Sequence, residues 1–385
     1  VLTGTSVVNI NPLPTITGTL IACVNGSADL TGSGTPGIIP AWSITGGTGT
    51  ATLTNEGTNT VTVNGTGAGT IILEYTDVNG CVATETVTFN PLPTITGTLI
   101  ACVNGSLDLS GSGTPSASTA WVITGGTGTA TLTNAGTNVV TVNGTVAGTI
   151  ILEYTDVNGC VATETVTFNP LPTITGTLIT CTNGTLDLTG SGTPAATPAW
   201  AITGGTGTAT LTNAGNNIVT VNGTVAGTII LEYTDVSGCI ATETVTFNPL
   251  PTITGTLSTC VNGTLDLTGS GTPAAAPAWS ITGGTGTATL TNAGNNIVTV
   301  NGTVAGTIIL EYTDLSGCVA IETVTFNPTP TITGTLSACV NGTLDLTASG
   351  TPAAGTAWII TGGTGTGTLS NEGTNVVTVT GTAAG

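Results

Sequence analysis

The sequence predicts an all-β protein, built as a tandem array of antiparallel β-sandwiches with one sandwich in each 79-residue repeat. Short runs rich in Val, Ile and Thr alternate with turns rich in Gly and Asn, which is the pattern of strands in a sandwich. No stretch shows the 3.6-residue periodicity of a helix. The repeat itself is visible in the tryptophans, which are each 79 positions apart: Trp42, Trp121, Trp200, Trp279 and Trp358.

Seven runs in the first repeat are predicted to be strands. Each is bounded by turn signals such as VNG, NEG and DVNG, in which Asn and Gly supply the backbone conformations that turns require. Seven short strands in about 79 residues are typical of a sandwich with two sheets. The predicted strands are 15–20, 27–31, 41–45, 50–54, 59–63, 70–76 and 81–89.

Alternation along these strands predicts which side chains face the core. Trp42 and Ile44 fall on one face of their strand, so the tryptophan is expected to fill the core rather than to stack on a sugar. Glu85 is an exception, because alternation places it on the face of Val87 and Phe89. We therefore expect either a bulge or an edge position at Glu85.

The repeats meet at an Asn-Pro-Leu-Pro segment, whose two prolines predict a short, stiff joint that holds neighbouring domains end to end. The opening residues align with the last strand of a repeat, and the last repeat stops before its last two strands. We expect the chain to continue on both sides, with strand exchange between molecules as the alternative. The predicted units are 1–11 (last strand of a preceding domain), the repeats 12–90, 91–169, 170–248 and 249–327, and the incomplete repeat 328–385.

Composition excludes several classes of function. The chain has no Lys, Arg or His and a net charge of −19, so nothing can neutralise the phosphates of a nucleic acid or of an anionic membrane surface. General-base histidines, Schiff-base lysines and arginine clamps are also absent. Carboxylate pairs remain chemically available, but the same acids recur in every repeat, so we expect no enzyme. No apolar run approaches the roughly 18 residues of a membrane helix, and we expect no membrane insertion.

The nine cysteines are spaced alternately by 58 and 21 positions, which allows pairing within a repeat or across the proline joint. Pairing across the joint would require a cysteine 21 positions before Cys23, but that position is Leu2. Only pairing within repeats therefore leaves Cys23 with a partner. Such bridges would stabilise by roughly 4 kcal/mol each in the chain-entropy model and require an oxidising compartment. The predicted bridges are Cys23–Cys81, Cys102–Cys160, Cys181–Cys239 and Cys260–Cys318, and the partner of Cys339 is expected beyond the end of the chain.

The order PTITG, Cys, AWSITGG, VTV and YTDVNGC resembles the PKD-like, immunoglobulin-like repeats of Bacteroidota surface proteins. The resemblance covers nearly the whole chain, from Pro12 to Gly385. It implies seven-stranded immunoglobulin-like sandwiches, a location outside the cell, and a role as stalk, spacer or adhesin, including cargo of the type IX secretion system. The second cysteine departs from antibody-type domains, because Cys81 follows a turn, six positions after Tyr75. The bridge is therefore expected at the start of the last strand, away from the centre of the core.

The segment LEYTDVNGC recurs in each of the first four repeats and has two interpretations. Asp77 can accept a backbone hydrogen bond two residues on while Gly80 adopts a positive φ, as in an ordinary turn. A calcium site needs six to eight oxygens, and a serine, Ser237 or Ser316, replaces the Asn79 equivalent in the third and fourth repeats. We favour the turn, with no metal or cofactor. The alternative calcium candidates are Asp77, Asn79, Asp156, Asn158, Asp235 and Asp314.

The near-identity of the repeats predicts a structural function, because no repeat carries chemistry that the others lack. We expect the shaft of an extracellular filament or cell-surface adhesin, whose partners are further copies or a continuation of the same filament. The alternative is a module that binds a surface glycan or protein through strand edges or through one variable loop. That loop covers residues 37–40, 116–119, 195–198, 274–277 and 353–356.

Overall fold

The computed structural model describes residues 4, 6–38, 40–196 and 198–385, which form strands and turns. Each of the first four repeats folds into two four-stranded sheets that enclose one apolar core. The chain is therefore a tandem array of immunoglobulin-like β-sandwiches, which confirms the predicted fold class. Every sheet in the described residues takes its strands from one repeat.

The first repeat has eight strands rather than seven, because a short strand that was not predicted, Ile21–Cys23, follows the first predicted strand and joins the other sheet. One sheet has the order β1-β3-β6-β5 and the other the order β2-β8-β7-β4. Strand β1 pairs antiparallel with β3, and β2 pairs parallel with β8. The strands are β1 (Ile16–Gly18), β2 (Ile21–Cys23), β3 (Ser27–Gly32), β4 (Trp42–Gly47), β5 (Thr50–Thr54), β6 (Thr60–Gly67), β7 (Gly69–Thr76) and β8 (Val82–Asn90).

The next three repeats have the same eight strands. The second has β9 (Ile95–Gly97), β10 (Ile100–Cys102), β11 (Ser106–Gly111), β12 (Trp121–Gly126), β13 (Thr129–Thr133), β14 (Val139–Val146), β15 (Gly148–Thr155) and β16 (Val161–Asn169). The third has β17 (Ile174–Thr175), β18 (Ile179–Cys181), β19 (Thr185–Gly190), β20 (Trp200–Gly205), β21 (Thr208–Thr212), β22 (Ile218–Val225), β23 (Gly227–Thr234) and β24 (Ile240–Asn248). The fourth has β25 (Ile253–Gly255), β26 (Ser258–Cys260), β27 (Thr264–Gly269), β28 (Trp279–Gly284), β29 (Thr287–Thr291), β30 (Ile297–Val304), β31 (Gly306–Thr313) and β32 (Val319–Asn327).

Each complete core is centred on one tryptophan and one tyrosine. The rings of Trp42 and Tyr75 are 4.6 Å apart between centroids, and both side chains are buried. The indole Nε1 of Trp42 donates to the carbonyl oxygen of Thr58 at 2.8 Å, which satisfies its one polar atom. The predicted role of the tryptophan in the core is confirmed. Ile44 is 37% exposed, because β4 is an edge strand and the core ends beside the register shift that follows Ile44.

Close packing of the tyrosine depends on a glycine in the facing sheet. A Cβ atom placed on Gly32 would lie 2.6 Å from a ring carbon of Tyr75, well inside contact distance. The same relation holds for Gly111 and Tyr154 in the second repeat. In the fifth repeat Ala348 occupies this position of β34.

Glu85 lies in the part of β8 that forms a sheet edge. Strand β8 pairs with β7 along its whole length without a register shift, but β2 reaches only Thr88, Phe89 and Asn90. The side of Glu85 away from β7 therefore has no strand beside it in the described sheet. This agrees with the expected edge position and explains why a half-buried carboxylate is tolerated there.

The two ends of the array differ from the complete repeats. The fifth repeat has a single sheet in the described residues, with the order β33-β34-β36-β35, and Trp358 is only half buried. Residues 6–11 were predicted to be a strand and are not one, since no strand lies beside them to share hydrogen bonds; residues 1–3 and 5 lie outside the described part. The strands are β33 (Ile332–Gly334), β34 (Thr343–Ala348), β35 (Thr366–Ser370) and β36 (Val376–Ala383).

Candidate functional site at the repeat junctions

Disulfide bonds join each repeat to the next, which corrects the predicted pairing within repeats. The bridges link Cys23 to Cys160, Cys102 to Cys239 and Cys181 to Cys318, each with a sequence separation of 137. Thus the first cysteine of one repeat bonds to the second cysteine of the following repeat. The predicted bridges Cys23–Cys81, Cys102–Cys160, Cys181–Cys239 and Cys260–Cys318 are wrong.

The length of the last strand explains why the predicted pairing fails. Cys23 ends β2 and lies opposite Asn90, the last residue of β8. Cys81 precedes the first residue of β8, Val82. Nine residues of extended strand separate the two positions by about 30 Å, whereas the Cα atoms of a disulfide lie within about 7 Å. The two cysteines of one repeat therefore sit at opposite ends of the sandwich.

The same topology brings cysteines of neighbouring repeats together. Cys23 lies beside Asn90, where the chain leaves the first repeat for the second. Cys160 precedes β16, which runs away from the first repeat, so it lies at the near end of the second repeat. The Cα atoms of Cys23 and Cys160 are 5.6 Å apart, as a disulfide requires. The bridge therefore crosses the junction between the two repeats.

The aspartate of the recurring turn orders the backbone that carries the second cysteine. In the second repeat, Oδ1 of Asp156 accepts hydrogen bonds from the backbone N–H of Asn158 at 2.9 Å and of Cys160 at 2.8 Å. The backbone N–H of Asp156 donates to the carbonyl oxygen of Cys160 at 2.9 Å. Asp156 is buried, and Cys160 is 1% exposed. The carboxylate thus fixes the position from which Cys160 reaches the preceding repeat.

This arrangement matches the predicted turn in detail. In the first repeat, Oδ1 of Asp77 accepts from the N–H of Asn79 at 2.9 Å and of Cys81 at 2.8 Å, and Gly80 has a φ of 78°. Asp235 makes the equivalent bonds to Ser237 and Cys239 in the third repeat. Ser237 therefore keeps the hydrogen bond from its backbone N–H to the aspartate, although its side chain differs from that of Asn79.

The calcium candidates do not gather into a larger group of ligands. Asp77, Asn79, Asp156, Asn158, Asp235 and Asp314 lie in separate turns, one turn in each repeat. No group of three or more acidic, Cys or His side chains arranged to hold a metal ion occurs among the residues that the structure describes. Calcium binding remains a prediction for experiment.

The proline joint is anchored to the repeat that it enters. In the second repeat, Pro93 is buried while Leu92 remains exposed. The backbone N–H of Thr94 donates to Oγ of Ser112 at 2.8 Å, and the N–H of Ser112 donates to the carbonyl oxygen of Thr94 at 2.9 Å. The disulfide is therefore a second covalent connection beside an anchored joint.

The titratable groups near the turns are acids and tyrosines. Burial raises the pKa of Tyr75 above its ordinary value, and the negative charge of Asp77 raises it further. The same causes raise the pKa of Tyr154, Tyr233 and Tyr312. A buried neutral phenol suits a structural core. The aspartates of the turns accept hydrogen bonds from backbone N–H groups, which is a structural use of the carboxylate.

The variable loop lies at the surface of each repeat. Ile38, in the first of these loops, is 96% exposed. Ile39 and Thr197, in the first and third loops, lie outside the described residues. The loops of the other repeats carry small residues, Ala, Ser, Thr and Gly, with a proline in the third and fourth. This loop is the position at which the repeats differ most.

Comparison with known proteins identifies no family. No family model and no curated protein sequence matches the chain. Solved structures that match the chain include invasin, a bacterial integrin-binding protein, at 15% identity and a TM-score of 0.29 over 84% of this chain and 81% of invasin. Cadherin domains 3–6 of protocadherin gamma B2 match at 10% identity and a TM-score of 0.18 over 82% and 99%. The Bacteroides ovatus protein SGBP-B, solved with a mixed-linkage heptasaccharide, matches at 17% identity and a TM-score of 0.18 over 68% and 73%.

Two further findings concern the environment of the chain. Disulfides form and persist in oxidising compartments, so the three bridges indicate a secreted or extracellular protein. Among the described residues there is no helix of sufficient length and apolarity to cross a membrane.

Proposed function

We propose that this chain forms the shaft of an extracellular filament or cell-surface adhesin, of the kind found in the Bacteroidota surface proteins whose repeats it resembles. One observation carries the proposal: every bridge joins consecutive repeats. A protein that needed only stable domains would gain as much from bridges within repeats. Bridges between repeats instead fix each domain to its neighbours, which serves a molecule whose length and continuity matter.

The acidic, repetitive surface also supports a structural role. With a net charge of −19 and no basic residue, the chain repels its own copies side to side and stays dispersed. Apart from Glu56 and its equivalent Glu372, which are replaced by Ala in the three repeats between them, the acids recur at the same positions, so the repeats offer nearly the same reactive groups. We propose that the chain is not an enzyme and has no cofactor, and that its partners are continuing or identical repeats.

Removing whole repeats tests the shaft function in the cells that produce the protein. Deletion of 91–169 leaves Cys23 next to a repeat whose second cysteine is Cys239, so the bridging pattern is retained. Immunoelectron microscopy should show surface filaments that shorten in proportion to the repeats removed. Filaments of unchanged length, or labelling without any extended structure, would contradict the proposal.

The exposed variable loop favours one alternative, a module that binds a surface glycan or protein. The observation that supports this alternative is the exposure of Ile38, which is almost fully accessible to solvent and lies in the loop where the repeats diverge. Replacement of residues 37–40 by the AAAP sequence of residues 274–277 tests this function without changing the length of the chain. Loss of saturable binding on a glycan array, with filament length unchanged, would favour the alternative. Equal binding by both chains would count against it.

A further inference from the structure

We infer that the interleaved disulfides form two continuous covalent paths along the array, which make the oxidised protein inextensible under tension. The first path crosses from Cys23 to Cys160, follows the backbone to Cys181 and crosses to Cys318. The second crosses from Cys102 to Cys239 and follows the backbone toward Cys260. In each path, one bridge and 21 positions of backbone together span two repeats.

The paths use only the first and last strands of each repeat. Between Cys160 and Cys181, the first path consists of β16, the proline joint, β17 and β18. Residues 103–159, which hold β11 to β15 and the core tryptophan, lie outside this path. A pulling force is therefore carried past the core of the second repeat. Strand β16, which supplies Val166 and Phe168 to this core, carries the load, whereas β11 to β15 carry none of it once the path is taut.

Strand pairing holds the two paths side by side. In the third repeat, β18 belongs to the first path and β24 to the second. They pair in parallel, with Ile179 opposite Thr246 and Cys181 opposite Asn248. The second repeat pairs β10 and β16 in the same way. Both paths thus run in one direction and are joined by backbone hydrogen bonds within each repeat.

The covalent topology sets a limit on extension. An extended residue spans at most about 3.5 Å. For two repeats, the first path consists of the backbone from Cys160 to Cys181 and the bridge from Cys181 to Cys318, whose Cα atoms are 5.7 Å apart. Fully extended, this path is only about 80 Å long. The same two repeats with reduced cysteines could reach about 550 Å. Oxidation therefore limits the reach of the array about sevenfold.

The use of this limit to carry load rests on the shaft function proposed above, whereas the limit itself is a property of the isolated chain. A filament of ordinary sandwiches lengthens when its domains unfold one by one. Here unfolding of a core in the bridged repeats extends the chain no further than the taut covalent path until a disulfide is reduced. The shaft would hold the distance between its two ends under load.

Single-molecule force spectroscopy of the complete chain, tethered at its termini, tests the inference. The free thiols Cys81, Cys260 and Cys339 are replaced by Ser in every sample. The shortest covalent path in the oxidised chain has about 110 residues, so it should become taut at about 400 Å. With the bridges reduced, the same chain should reach about 1,350 Å through a series of unfolding steps.

Two double variants distinguish the interleaved paths from any other set of bridges. C181S/C318S breaks the first path. The shortest remaining route crosses from Cys23 to Cys160, follows the backbone back to Cys102 and crosses to Cys239, so the limit should rise to about 800 Å. C102S/C239S removes a bridge with the same 137-residue separation, but leaves the first path intact, so the limit should stay at about 400 Å.

Equal limits for the two double variants would overturn the inference. So would extension of the oxidised parent chain beyond its limit, since pairing within repeats would give about 550 Å. The comparison of oxidised and reduced parent chains needs no double variant to fold. Success in the force measurement together with unchanged filaments after repeat deletion would reject the shaft function while keeping the mechanical property.

Discussion

Replacing Asp156 by Ala should open the turn that positions Cys160 without unfolding the second repeat. The carboxylate is 6% exposed, and its Oδ1 accepts two backbone N–H groups at 2.9 and 2.8 Å. Hydrogen bonds to a charged group contribute roughly 1.5–3 kcal/mol each. Water can reach the opened turn and replaces part of this, so the local cost is on the order of 3 kcal/mol. That corresponds to a roughly 100-fold rise in the opening equilibrium of the turn.

Hydrogen exchange followed by mass spectrometry measures this opening on the intact, oxidised chain, because amide protection reports local unfolding. The amides of Asn158 and Cys160 should exchange roughly 100-fold faster in Asp156→Ala. Asp156→Asn keeps an acceptor oxygen and should lose about tenfold. Asp108→Ala is the matched control, since that exposed carboxylate accepts only the hydroxyl of Thr141. Equal protection of residues 157–160 in the Asp156→Ala and Asp108→Ala chains would refute the role of the turn.

Three further predictions follow from the core and the turns. Gly32→Ala should destabilise the first repeat by about 1–3 kcal/mol through overpacking against Tyr75, measured by exchange in β3; Ala348→Gly is the control and should have a far smaller effect. The raised pKa of the four buried tyrosines makes the folded state bind protons more tightly than the unfolded state. Stability is then complete below the ordinary tyrosine pKa of about 10 and falls as the pH rises above it. A calorimetric melting temperature that stays constant up to pH 11.5, with free thiols alkylated, would count against this reasoning. Calcium in excess should shift the melting temperature little relative to a chelator, and a rise of roughly ten degrees or more would show that the acidic turns bind the ion.

The strands were predictable because alternation of apolar and polar residues follows directly from one buried sheet face. The predicted and observed strands differ mainly at their ends. The short strand Ile21–Cys23 was missed, although Gly18, with a φ of 139°, marks the point where the chain leaves the first strand. That conformation is open to glycine and allows the chain to cross from one sheet to the other. The aspartate turn was predicted because its hydrogen bonds are local.

The disulfide pairing could not be predicted from the spacing of the cysteines. In a strict repeat, separations of 21, 58 and 137 positions each recur regularly along the chain, so regularity does not select one of them. The missing information was three-dimensional: β2 runs parallel to β8 and places Cys23 at its far end. Recognition of that pairing, together with the nine-residue strand after Cys81, would have excluded a bridge within the repeat. The burial of Cys160 likewise depends on its repeat neighbour, which local patterns do not describe.

Peptide mapping without reduction shows directly whether the bridges join consecutive repeats. The chain has no site for trypsin, but cleavage after Asp and Glu places each of the nine cysteines on a separate peptide. Free thiols are first blocked at acidic pH so that the bridges cannot exchange. We expect the peptide ending at Asp29 to be linked to residues 157–164, and residues 86–108 to residues 236–243. A link between the peptide ending at Asp29 and residues 78–85 would contradict it.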